Sequence, residues 1–318
     1  MRELATSPAI HGLLIFYLLA SIIALPVIIM SIYGVVKAIG FHFNTKSLFI
    51  LHLTAMFVHC ASRAVAYTID LINYYSNWTN PCDIVPSTWR CFFTRIFFNA
   101  GYAYFEWTSF VLCVERFIAT LYRSNYENSC RIVSLGLGFL QFSLTGMTLM
   151  CWYWYFHEQD VHYFCRSASR NNPTLIMVLN VLVIIALAFS QFGFKILASK
   201  NKALRKQEAE ASLSKRYQLE ENIRSNQILE LFAIYDFWLL CVYNFSSIIV
   251  YLFPVQLTSV QYIVSTEVFL ICPIYSILVP YVVWRKYRER RRITNTGLQN
   301  AINVSNDQYF AQFRSAWE

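Results

Sequence analysis

Apolar residues gather along this chain into seven long windows separated by short polar stretches. The windows run Leu13–Val36, Leu48–Tyr74, Phe97–Leu121, Ile132–Phe156, Thr174–Leu197, Gln227–Phe253 and Tyr262–Trp284. Each has about the length of a helix that crosses a hydrocarbon core, roughly 20 residues for about 30 Å. The pattern predicts an all-α integral membrane protein, a bundle of seven transmembrane helices. The short connections leave no room for a second folded domain, so residues 1–284 read as one unit and 285–318 as a tail. No internal repeat of the transporter kind is visible. The first window has no basic flank beyond Arg2, no small-residue cleavage site, and too great a length for a signal peptide. It reads as the first helix, with a kink expected at Pro26.

Composition agrees. Apolar residues make up 57% of the 318 and aromatics 17%, while only 14% are charged. A soluble domain carries about a quarter charged residues, and one soluble core could not hide this much apolar surface.

Charge sets the expected orientation. With the N-terminus outside, 20 of the 26 basic residues fall in the predicted cytoplasmic stretches, which are the sites that topology favours for Lys and Arg. Arg63 lies inside the second window, and Arg2, Arg90, Arg95, Arg166 and Arg170 remain on or near the outer side. The net charge of +8 is then a topology signal and a match to an anionic inner leaflet, not a nucleic-acid footprint. The run Arg285 to Arg292 predicts a short cationic helix on that leaflet. The tail has no cysteine to carry a palmitoyl chain.

Of nine cysteines, Cys60, Cys113, Cys151, Cys241 and Cys272 fall in apolar windows, where they read as small buried hydrophobes. Cys130 is predicted cytoplasmic and reduced. Cys82, Cys91 and Cys165 lie on the expected outer side, where disulfides persist. Asn77-Trp78-Thr79 is a glycosylation sequon on that side; the matches at Asn244 and Asn303 should be silent.

Ionisable groups inside a bilayer are costly and therefore suggest a role. The second window holds His59, Arg63 and Asp70 on roughly one face, the third holds Glu106, the sixth Asp236 and the seventh Glu267. Arg63 needs an acid, and Glu106, Asp236 and Glu267 are the candidates. One reading is an internal polar lock. The sharper reading places Asp70, Asn99, Tyr102, Glu106, Trp154, Tyr262 and Glu267 around a site for a small or medium-sized, mainly apolar ligand.

Val114-Glu115-Arg116-Phe117, at the predicted inner end of the third helix, resembles the Asp/Glu-Arg-Tyr motif of G-protein-coupled receptors. In such receptors the arginine is held by acids at rest and freed when the sixth helix moves. A snorkelling arginine is the bland alternative. Cys91 stands 25 residues before Arg116, about seven turns, so the two mark opposite ends of one helix. Cys272-Pro273-Ile274-Tyr275 and Pro280-Tyr281 are similar to the end of the seventh helix in these receptors. The usual asparagine there and the tryptophan-proline kink of the sixth helix are absent.

A narrower resemblance rests on an ordered set of pieces. These are Glu3-Leu4-Ala5-Thr6-Ser7, Asn44-Thr45-Lys46, His59-Cys60-Ala61-Ser62-Arg63, Asp70-Leu71-Ile72-Asn73-Tyr74, Pro81-Cys82-Asp83 and Arg90-Cys91. They continue with Glu115-Arg116-Phe117-Ile118-Ala119-Thr120, Tyr126-Glu127 and Leu213 through Asn222. In this order the chain resembles the nematode serpentine chemoreceptors of the Sra superfamily, most closely the Srab class. The resemblance implies a chemosensory G-protein-coupled receptor in the plasma membrane or cilia of sensory neurons. Its partners would be an external chemical cue and a heterotrimeric G protein engaging Glu115, Arg116, Tyr126 and Tyr217. It also implies a disulfide from the outer end of the third helix to the second outer loop, Cys91–Cys165, with Cys82–Cys165 as the alternative. No cofactor is expected.

Two rivals fit less well. A transporter or channel would want helices broken by Gly or Pro in matched halves, which nine scattered glycines do not supply. A metal hydrolase would need three histidines with an acid at ligand spacing. His52 and His59 could face one way, but His157 and His162 lie at the opposite, outer side, so no metal and no catalytic residue is expected.

Overall fold

The computed structural model describes residues 6–37, 42–76, 87–122, 130–153, 173–207, 213–252, 258–268, 271–286, 288–289 and 292. Among these the fold is helical. The elements are α1 (Pro8–Lys37), α2 (Phe43–Tyr75), α3 (Thr88–Glu106), α4 (Thr108–Leu121), α5 (Cys130–Tyr153), α6 (Pro173–Gln207), α7 (Leu213–Leu252), α8 (Ser259–Val268) and α9 (272–286). Five described segments are long and apolar enough to cross a membrane: α1, α2, α5 from Ile132, α6, and α7 from Asn222. The third apolar window is divided between α3 and α4, and the seventh between α8 and α9.

The break in the third column is slight. Trp107 stays in helical conformation (φ −89°, ψ −5°) between α3 and α4, and the Val111 N–H returns to the Trp107 carbonyl at 3.1 Å. The Trp107 indole N–H reaches sideways to Thr148 Oγ1 of α5, 3.0 Å away. A polar bond at the point of interruption holds the column against its neighbour. The column is also central: α3 packs on α2 and α5, and α4 on α2, α5, α6 and α7.

Several helices outrun their apolar windows for identifiable reasons. α3 begins nine residues before Phe97, where Ser87 caps it by accepting from the Arg90 N–H at 3.3 Å. Its first two turns carry Arg90 and Arg95, which a search for apolar runs passes over. α6 and α7 both extend beyond the bilayer-length core and pack along each other, with Leu219 and Ile223 buried in the extension. α1 continues through Pro26 to Lys37.

The surface is inverted relative to a soluble protein. Ile132, Phe139 and Met30 are 78%, 76% and 72% exposed, while Arg63, His52, Asp236 and Glu115 are fully enclosed. Apolar groups facing outward and polar groups facing inward is the arrangement that hydrocarbon demands, since lipid tails offer hydrogen bonds to nothing. Arg95, expected on or near the outer side, is 1% exposed inside the bundle.

Candidate functional site

The enclosed polar residues form layers stacked from the face that holds the start of α1 toward the opposite face. α1, α2, α3 and α8 build the first. Arg95 Nη2 meets Asp70 Oδ2 at 2.5 Å. Arg63 Nη2 donates to the Tyr67 hydroxyl at 2.7 Å, which in turn donates to Glu267 Oε2 at 2.5 Å; the guanidinium lies 3.5 Å from the same carboxylate oxygen. Of the three acids open to Arg63 by sequence, Glu267 is the partner. The Arg63 guanidinium also lies 4.6 Å from the Tyr17 ring centroid and 4.9 Å from that of Tyr67. Two arginines and two acids are thus balanced, with phenol rings filling the space between them. Tyr17 fastens α1 to α8 by donating to the Val268 carbonyl at 2.6 Å.

The second layer is aromatic. Tyr102 stacks on Trp152 at 5.9 Å and meets Phe105 and Tyr243 edge-on at 5.1 and 4.9 Å. Its hydroxyl donates to Glu106 Oε1 at 3.0 Å, and Asn244 Nδ2 of α7 donates to the same oxygen at 3.2 Å. The Asn244 sequon is therefore inside the bundle. Asn99, one turn toward the first layer, donates to the Tyr153 hydroxyl at 2.7 Å.

The third layer ties five elements together. Asp236 of α7 accepts from Ser109 of α4 and, at 2.6 Å, from Tyr275 of α9. Tyr275 is 3.3 Å from His52 Nε2 of α2, His52 Nδ1 is 3.0 Å from Thr108 Oγ1, and Gln141 of α5 donates to Thr108 at 2.8 Å.

The fourth layer lies toward the opposite face. Arg116 grips its own neighbour side-on, Nε to Glu115 Oε2 and Nη2 to Oε1, both 2.5 Å. Adjacent residues on a helix do not face each other, so the guanidinium turns back to make this paired contact. Nη1 reaches Asn222 Oδ1 of α7 at 3.2 Å, and Thr45 of α2 donates to Glu115 at 3.2 Å. Arg116 and Glu115 are 1% and 0% exposed.

Of the residues expected around a ligand, Asp70 and Glu267 are in the first layer, and Asn99, Tyr102 and Glu106 in the second. Trp154, Tyr126, Cys82, Cys165 and Asn77 lie outside the described residues. Tyr262 and Tyr217 are placed on α8 and α7, with their side chains outside the described part. Cys91 is disulfide-bonded, and the pairing itself lies outside the described residues. Cys60, Cys113, Cys151, Cys241 and Cys272 are free thiols. Among the described residues no three His, Cys, Asp or Glu side chains converge as metal ligands.

Sequence reasoning missed Arg95, Tyr17, Tyr67, Asn222, Asn244 and Tyr275 as members of these layers. Arg95 carried a signal: it stands four residues after Cys91 and one turn before Asn99, within a helix-forming stretch. Tyr275 and Asn222 stood in pieces that carry the receptor and family resemblances, which do not say what they bond. For Tyr17, Tyr67 and Asn244 nothing local separates a lipid-facing side chain from an inward one.

The whole chain, residues 1–318, matches the family described as "Serpentine type 7TM GPCR receptor class ab chemoreceptor". It is also similar to "Serpentine receptor class beta-17" of Caenorhabditis elegans, 22% identical over 330 residues that cover 99% of this chain and 89% of that protein. Five bilayer-length apolar segments, a divided third and seventh column, an inward-facing polar core and this match have one conclusion: the chain is a membrane protein of the serpentine class ab chemoreceptor family, a family of seven-helix receptors rather than enzymes.

Proposed function

We propose that the protein is a chemosensory receptor that takes up an external small molecule in the outer half of the bundle, the half that holds the start of α1, and activates a cytoplasmic heterotrimeric G protein at the opposite face. The observation that carries this reading is the hold on Arg116. Glu115 clamps the guanidinium side-on within α4 while Asn222 ties it to α7, so a movement of α7 against α4 breaks the Asn222 contact and releases Nη1. A switch needs two states separated by only a few kcal/mol, and a few exchangeable hydrogen bonds are of that order.

The N-terminus lies outside and the plasma membrane, including sensory cilia, is the working location. The support is charge: among the described residues Lys37, Lys46, Lys195, Lys200 and Arg224 gather on the face opposite the N-terminus, as the positive-inside rule requires of a cytoplasmic face. The ligand site comprises Asp70, Asn99, Tyr102, Glu106, Trp154, Tyr262 and Glu267. An incoming apolar molecule has aromatic walls in Tyr102, Trp152 and Tyr243, and it can signal by loosening Tyr67 from Glu267. Cys91 pairs with Cys165 to brace this end, and Asn77 carries a glycan. Glu115, Arg116, Tyr126 and Tyr217 meet the G protein. Residues 285–318 form a tail whose basic start lies along the inner leaflet.

The test is a cell-based G-protein dissociation assay comparing wild type with Arg116→Ala at matched surface expression. Dissociation, basal or evoked, disappears in the variant. A variant that signals like wild type removes Arg116 from the mechanism. A ligand that binds without dissociating any G protein tested removes the receptor reading itself.

A further inference from the structure

At the face opposite the N-terminus, the end of α1, the start of α2 and the end of α9 bring together cations and aromatic rings that signalling leaves without a task. Lys37, in the last turn of α1, bonds through its ammonium to the Tyr33 hydroxyl and lies 4.4 Å from that ring's centroid. Lys46 of α2 donates to the Val36 carbonyl at 3.3 Å. Trp284 of α9 packs against Gly34, its Cδ1 3.9 Å from where a Cβ would stand. The Arg288 guanidinium lies 4.8 Å from the Trp284 ring centroid. Lys37 is one turn beyond Gly34, so both cations border the same α1–α9 contact.

The balance of charge at this corner is one-sided. Lys37, Lys46 and Arg288 form no ion pair with a described carboxylate, and Glu289 is engaged by Lys286 at 3.0 Å. The carbonyl end of α1 accounts for Lys46, but it does not account for Arg288 and Trp284 on another helix. Tyr33, Tyr281 and Trp284 are 61%, 52% and 42% exposed, and such rings settle at headgroup depth. One turn back along α1 from Tyr33, the strongly exposed Met30 offers an apolar path for an acyl chain.

We propose that this corner binds the phosphorylated headgroup of an anionic phospholipid. Lys37 and Lys46 supply point charges, and Arg288 supplies a planar fork that matches phosphate oxygens. Basic pockets between membrane helices recognise polyanionic headgroups in this way. The site depends on the signalling proposal only for which leaflet supplies the lipid. A nanodisc presents both faces, so the binding measurement stands whether or not the receptor couples to a G protein.

The full chain is reconstituted in phosphatidylcholine nanodiscs doped with phosphatidylinositol bisphosphate, and retained lipid is counted by native mass spectrometry. Wild type retains the phosphoinositide over phosphatidylcholine. Lys37→Gln combined with Arg288→Gln weakens retention about thirtyfold, taking each cation at its usual contribution near a membrane. Lys200→Gln combined with Lys202→Gln, an equal loss of charge on α6, leaves retention unchanged. If the double variant at the corner fails to fold, Arg288→Gln alone carries the comparison with a smaller loss. An unchanged corner variant, an equal loss in both pairs, or equally tight binding of the soluble inositol phosphate each overturns the proposal.

Discussion

Tyr275 of α9 gives its one hydroxyl proton to Asp236 Oδ1 of α7 across 2.6 Å, and this fixes the direction of a hydrogen-bonded chain through the bundle. With that proton committed, His52 Nε2 is the donor in its 3.3 Å contact with Tyr275. A neutral imidazole then accepts at Nδ1, and Thr108 donates to it at 3.0 Å. Gln141 completes the run by donating to Thr108 Oγ1 and to the Tyr104 carbonyl at 2.8 and 3.0 Å. From Gln141 through Thr108, His52 and Tyr275 one run of donors ends on Asp236, with the Tyr104 carbonyl as a side branch 3.0 Å from Gln141 and 3.4 Å from Thr108. One carboxylate on α7 thus organises side chains from α2, α4, α5 and α9.

Tyr275→Phe keeps the ring stack on Phe105, at 5.1 Å, but leaves Asp236 with Ser109 as its donor in this layer. Leaving a buried acceptor short of a partner costs about 1–3 kcal/mol. Thermal melting of detergent-purified protein should therefore shift down. An unchanged melting temperature would show that Tyr275 acts only through packing.

The Asp70–Arg95 pair should behave as a coupled unit. Removing one partner of an enclosed pair costs about 3–5 kcal/mol, whereas replacing both with apolar groups is often neutral. Asp70→Leu and Arg95→Met should each lower surface expression sharply, and the two together should recover most of it. Additive losses in this double-mutant cycle would mean that each residue has a separate role.

Helix approach limits two glycines in different ways. A Cβ on Gly101 would stand 2.6 Å from the Ala55 carbonyl oxygen and 2.9 Å from His59 N, backbone atoms that cannot give way, so Gly101→Ala should force α2 and α3 apart. A Cβ on Gly193 would instead collide with Cys113 Sγ. Gly193→Ala should be rescued by Cys113→Ala, while no single side-chain change rescues Gly101→Ala. Surface labelling of epitope-tagged receptor separates the two cases.

Asn222→Ala removes the tie between α7 and Arg116 but keeps the Glu115 clamp. Under the proposed mechanism the resting state loses a contact that the active state does not make. One such hydrogen bond, about 1 kcal/mol, should raise basal G-protein dissociation roughly fivefold. Basal activity equal to wild type would detach Asn222 from the switch.

Cys165→Ser tests the outer brace. With Cys91 disulfide-bonded, loss of the expected partner should trap the protein inside the cell or abolish its response. Normal trafficking and response would count against the Cys91–Cys165 disulfide.

The number and order of the apolar spans, and the family, were legible in the sequence because they depend on local facts. A helix must be apolar for the length that hydrocarbon covers, and Glu115-Arg116 is a contiguous pair. The need of Arg63 for an acid was legible too, since an enclosed guanidinium cannot stay alone. Which acid answers was not. Glu267 is more than 200 residues from Arg63, and the bridging Tyr67 is one of 21 tyrosines. Arg95 looked like a flanking charge because hydropathy rates residues singly and cannot register the carboxylate that neutralises one. The pairings Asp70–Arg95, Tyr67–Glu267 and Asp236–Tyr275 were decided only in three dimensions. They depend on the depth and rotation of each helix beside its neighbours, and close packing of side chains across those contacts sets both.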